Sequence, residues 1–158
     1  MSDTPSKLDT MLCYRVYALQ LAFNRYYQAV FGDTGFTYPK YVALMGLDEL
    51  GTVTLNELAA RIGVEPNTLS PLVKKMSGFG LIDRKRDDRD ERRVLLSLTP
   101  FGRSVLAEAT RAADAGWESL GLDPAAVEQA LAVLGDANDR LAAADLPTVM
   151  RLPDRPGD

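Results

Sequence analysis

Apolar positions recur with a helical period over most of this chain. From Leu8 to Phe31, Leu12, Val16, Leu19, Phe23 and Val30 fall three, four or seven residues apart. That spacing predicts one long amphipathic helix, closed by the turn Gly32-Asp33-Thr34-Gly35. A second helix is expected from about Tyr38-Pro39, because proline suits a first helical position. Its run Val42, Leu44, Met45 and Leu47 stops before Gly51.

Thr52-Val53-Thr54 reads as a short extended piece. Leu55, Leu58, Ala59 and Ile62 then stripe one face of a short helix, and Gly63 supplies a tight turn. A further helix is expected from Asn67, a good N-cap, to about Ser77, burying Leu69, Leu72, Val73 and Met76. Pro71 would then occupy the fourth helical position, where at most one hydrogen bond is lost. Helix, glycine turn, helix is the helix-turn-helix outline.

Beyond Gly80, two extended runs (81–86 and 92–98) flank the charged connector 87–91, which predicts a β-hairpin. Thr99-Pro100 opens a helix running to about Leu120, and Asp123-Pro124 opens a last one ending near Asp145. Residues 146–158, with three prolines, read as a flexible tail. The fold class is mainly α with a small β-hairpin wing (α+β), in one domain over residues 1–145.

Charge changes this picture by its distribution. The 158 residues sum to −4, but residues 66–99 hold 8 Lys and Arg against 5 Asp and Glu. The flanking segments are both acidic. A positive surface confined to the helix-turn-helix and hairpin points to nucleic acid. The chain has no histidine, the commonest general base and transition-metal ligand, and one cysteine. Enzymatic chemistry, a metal and a cofactor are therefore not expected. No apolar run is long enough for a membrane span and no signal pattern opens the chain, so a cytoplasmic location is the default.

Three features converge on DNA. The second helix of the helix-turn-helix carries a polar face of Asn67, Thr68, Ser70, Lys74 and Lys75, and the hairpin carries Arg84, Lys85, Arg86, Arg89, Arg92 and Arg93. Short polar side chains near such a helix's N-terminus reach base edges in the major groove, where the stiffening effect of Pro71 suits reproducible presentation. An arginine at a hairpin tip fits the narrow minor groove, and lysines near the helix end meet phosphates.

The stretch TLNELAARIGVEPNTLSPLVKKMSGFGLIDRKRDDRDERRVLLSLTPFG resembles the MarR family of winged helix-turn-helix regulators. The resemblance spans roughly residues 8–145. It implies a homodimer formed by helices in 8–37 and 100–145, a DNA-binding lobe over 38–99, a palindromic operator in double-stranded DNA, and repression. By the family pattern Asp90 and Arg92 pair to shape the wing, with Arg89 nearer its tip.

A lone cysteine on an apolar helix face reads first as a small buried hydrophobe. Its neighbours, LDTMLCYRVY, then RYY and GFTYPKY, resemble the one-cysteine branch of organic hydroperoxide resistance regulators. That resemblance implies a reactive thiol, Cys13, held by the hydroxyls of Tyr27 and Tyr38. Fourteen residues of helix span about 21 Å, so Cys13 and Tyr27 can meet only across a dimer, with Tyr17 lining the same pocket. Organic hydroperoxide would oxidise the thiolate to sulfenic acid; with no second cysteine, a small cellular thiol would have to resolve it.

Rival readings keep the DNA binding but substitute a small aromatic ligand for the oxidant, or make the chain a thiol peroxidase, or reserve the winged helix for protein contacts.

Overall fold

The computed structural model describes residues 6–87, 90 and 93–145. Helix α1 covers Leu12–Phe31, α2 Tyr38–Leu50, α3 Leu55–Ile62, α4 Pro66–Gly78, α5 Pro100–Ser119 and α6 Pro124–Ala143. Among the described residues three short strands accompany them: β1 (Val53–Thr54), β2 (Ile82–Arg86) and β3 (Val94–Leu98). The fold is mainly helical with a small antiparallel sheet, as the periodicity predicts.

The chain divides into two compact units, residues 1–119 and 120–158. In the first, α2, α3, α4, α5 and the sheet enclose a core of Leu44, Leu47, Leu58, Leu69, Met76, Ile82, Leu96 and Leu98. In the second, α6 begins at Asp123, whose carboxylate accepts from the Ala125 N–H at 3.2 Å. The expected tail, 146–158, lies outside the described residues.

Three boundaries and one strand pairing differ from the sequence reading. The first helix does not start at Leu8. Lys7–Thr10 forms a 3-10 turn, Met11 is extended, and α1 begins at Leu12. Local bonds hold that break: the Thr10 hydroxyl donates to the Lys7 carbonyl at 2.8 Å, and Arg15 bonds the Asp9 carbonyl at 3.0 Å and its carboxylate at 3.3 Å. Cys13 therefore sits in the first turn of α1.

Asn67 does not cap the recognition-helix candidate. Proline at the first helical position outweighs it: α4 starts at Pro66, Glu65 is the cap residue, and the Glu65 carbonyl accepts from Thr68 and Leu69. Pro71 becomes the sixth helical residue, so the Asn67 carbonyl loses the N–H donor it would otherwise find there.

The hairpin connector is longer than five residues. Arg93 leaves the strand and closes the loop instead, donating its N–H to the Asp90 carbonyl at 2.9 Å while its carbonyl accepts from Asp87 at 3.0 Å. Finally, the hairpin is part of a three-stranded sheet of order β1-β3-β2. Val53 faces Leu96 and Thr54 faces Leu95.

The start of α5 fixes the hairpin to the helices. Thr99 caps α5, accepting from the Gly102 N–H at 2.8 Å and donating its hydroxyl to the Gly80 carbonyl at 2.6 Å. Gly102 packs so closely that a Cβ there would lie 2.0 Å from the Leu81 carbonyl oxygen.

Candidate nucleic-acid interface and thiol site

The capping box of α3 builds the entry to the helix-turn-helix. The Thr54 N–H and hydroxyl donate to the Glu57 carboxylate at 2.7 and 2.8 Å, and the Glu57 N–H returns to the Thr54 hydroxyl. The backbone bond from Thr54, then its hydroxyl bond, holds the Glu57 carboxyl below the usual carboxylate value. Gly63, at φ +71, turns the chain into α4.

Helix α4 separates its faces cleanly. Leu69, Val73 and Met76 are buried. Asn67, Thr68, Ser70, Pro71, Lys74 and Lys75 are all exposed. Since Asn67 has no capping duty, its amide is available to a ligand outside the chain.

Strand alternation sorts the wing. Ile82 faces Leu98 and Arg84 faces Leu96, so Ile82, Arg84 and Arg86 share the face that carries the core. Toward the loop this face runs past the hydrophobic interior, and Arg84 and Arg86 are exposed. Lys85 occupies the opposite face. Arg89 and Arg92, with any Asp90–Arg92 pairing, lie outside the described residues. Arg93, grouped by sequence with the basic wing, reaches back to Glu57, with Nη2 3.5 Å from Oε1.

The second constellation spreads along α1. Cys13 is exposed, and Tyr17, one turn on, is 58% exposed. Leu12, Val16 and Leu19 are exposed as well. The C-terminal half of the same helix is packed. Tyr26 donates its hydroxyl to the Ala113 carbonyl at 2.7 Å, and Phe31 is buried.

Tyr27 lies at the centre of an aromatic cluster. Its ring stacks on Tyr38 with centroids 4.3 Å apart, and Tyr26, Phe31 and Tyr41 surround it at 4.9 to 5.9 Å. Burial, then the neighbouring Tyr38, pushes the Tyr27 hydroxyl up to about 12. It stays a hydrogen-bond donor at any physiological pH. One chain thus brings Tyr27 and Tyr38 together and leaves Cys13 about 21 Å away along α1. Tyr26 and Tyr41 were visible in the sequence only as parts of RYY and PKY, with nothing in the spacing to mark them as walls.

A cleft of about 640 Å³ opens between the α1–α2 connection, α5 and the end of α4, lined by Val30, Phe31, Phe36, Phe79 and Phe101 among others. Lys40 stands at it with Nζ 5.7 Å from the Phe79 ring centre. Sequence reasoning placed Val30 on the apolar face of the first helix but marked none of these residues as lining a cleft.

Comparison with known proteins identifies the family. The profile of the MarR family matches residues 36–94. The chain is 38% identical over 116 residues to the organic hydroperoxide resistance transcriptional regulator of Bacillus subtilis, covering 73% of this chain and 77% of that protein. It is also 38% identical over 103 residues to the regulator TtmR of Methylorubrum extorquens, covering 65% of this chain but only about half, 53%, of that longer protein. Among solved structures, reduced AbfR bound to DNA superposes with a TM-score of 0.69 at 25% identity, covering 83% of this chain and 91% of that one.

Proposed function

The chain belongs to the MarR family of DNA-binding transcriptional regulators, and on that premise we propose that it is a homodimeric repressor released from its operator when organic hydroperoxide oxidises Cys13. In this reading Asn67, Thr68 and Ser70 read bases in the major groove, with Pro71 stiffening their helix. Lys74 and Lys75 hold phosphates, and Arg84, Arg86, Arg89 and Arg92 carry the wing to the minor groove. Two-fold symmetry sets the two recognition helices about one DNA turn apart, which requires a palindromic operator.

The observation that carries the redox half is the division of α1. Its packed half builds a tyrosine site, while its other half leaves Cys13 exposed among apolar Leu12, Val16 and Leu19. Two such helices crossing would cover the apolar residues and bring Cys13 to Tyr27 and Tyr38 of the partner subunit, with Tyr17 lining the same site. There the two tyrosine hydroxyls would donate hydrogen bonds to the Cys13 sulfur. The thiolate attacks one peroxide oxygen, the O–O bond breaks, and alcohol leaves as the sulfur becomes sulfenic acid. Loss of the thiolate's hydrogen bonds shifts the two subunits, and with them the half-site spacing. A small cellular thiol then condenses with the sulfenic acid, releasing water. The name of the Bacillus subtilis relative agrees with this oxidant.

A gel shift on the DNA upstream of the chain's own gene, with and without organic hydroperoxide, tests the reading. Wild type should leave the DNA on treatment and Cys13→Ser should stay bound. Release of the Cys13→Ser protein by peroxide would defeat the thiol mechanism. The 640 Å³ cleft supports one second reading, in which a small aromatic acid paired with Lys40 releases the DNA instead. Release by such an acid that Lys40→Gln abolishes would favour it. A thiol peroxidase is not retained, because the family and these relatives are regulators.

A further inference from the structure

Arg93 is held at three points. Its backbone N–H and carbonyl close the wing loop on Asp90 and Asp87, and its guanidinium lies on Glu57. Glu57 in turn is locked by two bonds from Thr54, which belongs to the sheet through its pairing with Leu95. The neck of the wing, the edge of the sheet and the first turn of α3 therefore meet at one carboxylate. We propose that Glu57 and Arg93 are a positioning pair: their contact fixes the angle of the wing on the helix-turn-helix and so sets where the wing meets DNA.

The inference rests on the wing reaching the minor groove, as proposed above. It assigns Arg93 a task different from that of a phosphate-binding wing arginine. It also assigns an acidic residue on a DNA-binding lobe a favourable effect on binding, which charge alone would not give. Removing a negative charge near DNA strengthens binding to any duplex. Removing a positioning contact weakens binding only where the wing's placement matters.

Glu57→Gln separates the two effects, because glutamine preserves the capping box while losing the ion pair. The probe is a duplex enriched by the wild-type protein from a randomised pool, compared with an unrelated duplex of equal length. Glu57→Gln should bind the enriched duplex about three- to fivefold more weakly, the equivalent of one exposed ion pair. It should bind the unrelated duplex as well as wild type or better. Protection of the minor groove beside each half-site should diminish while the melting temperature is unchanged. Adding Glu57→Gln to Arg93→Gln should produce no further loss on the enriched duplex. Binding of the enriched duplex by Glu57→Gln at wild-type strength or tighter would overturn the pairing. A wild-type protein that enriches no duplex would instead overturn the DNA-binding wing, and the pairing with it.

Discussion

The rings of Tyr27 and Tyr38 stack with centroids 4.3 Å apart and planes 25° from parallel, joining the packed half of α1 to the first residue of α2. The contact lies within one chain, so the tyrosine half of the proposed thiol site needs no partner to form. Burial keeps the Tyr27 hydroxyl protonated well beyond its ordinary range.

That protonation gives a pH dependence. The folded-state value of Tyr27 is raised from 10.0 to about 12, so the neutral form is favoured by folding. The corresponding stability is complete below the unfolded value and is lost as pH climbs through the folded one. Thermal melts between pH 10 and 12 should show wild type losing stability with rising pH. Tyr27→Phe should lose less over the same window; equal slopes for the two proteins would contradict the burial of this hydroxyl.

Tyr27→Phe should also slow the thiol. A hydrogen bond to a charged group is worth about 1.5–3 kcal/mol. Loss of one such donor should slow oxidation of Cys13 by cumene hydroperoxide roughly tenfold or more. Stopped-flow or thiol-trapping kinetics measure this directly, and an unchanged rate would remove Tyr27 from the site.

The contacts at the start of α5 predict a contrast between two glycines. A methyl at Gly102 meets the Leu81 carbonyl oxygen at 2.0 Å, whereas one at Gly78 meets nothing within 4 Å. Gly102→Ala should cost about 1–3 kcal/mol or more, since backbone must move. Gly78→Ala should be neutral or stabilise by up to about 1 kcal/mol through helix propensity. Denaturant unfolding distinguishes them, and similar effects at both sites would contradict the close approach.

Much of this fold was legible because its helices announce themselves. Apolar spacing located α2, α3 and α4, and Thr99-Pro100 and Asp123-Pro124 marked the starts of α5 and α6, which the structure keeps. Local competition decided what was misread. Pro66 sets the start of α4 ahead of Asn67, and hydrogen bonds among Lys7, Asp9, Thr10 and Arg15 interrupt a period that looked continuous. Contacts distant in sequence were invisible. Glu57 and Arg93 stand 36 residues apart, so nothing in the alternation of the hairpin shows that Arg93 turns back to α3. A two-residue strand such as β1 carries no periodicity, and only its pairing with β3 defines it. Cys13, Tyr27 and Tyr38 came from family resemblance; the geometry adds that two of the three already touch.

The recognition helix predicts two kinds of loss. Lys74→Gln and Lys75→Gln should weaken binding to all duplexes and each reduce the salt slope by about 1. Asn67→Ala or Ser70→Ala should leave the slope intact and cost about 1–3 kcal/mol of discrimination at particular base pairs. Fluorescence anisotropy over a salt series measures both. A change of slope for Asn67→Ala would make it a phosphate contact rather than a base reader.

Mixed dimers test most directly whether the proposed switch spans the dimer. Cys13→Ser subunits and Tyr27→Phe/Tyr38→Phe subunits each lack one half of the site, so either homodimer should oxidise slowly or not at all. A mixed dimer pairs the intact cysteine of one subunit with the intact tyrosines of the other. It should regain one site and oxidise with cumene hydroperoxide at the wild-type rate per intact thiol. If the mixed dimer oxidises no faster than the tyrosine-mutant homodimer, Cys13 does not meet the tyrosines across the interface, and the account of the switch is wrong.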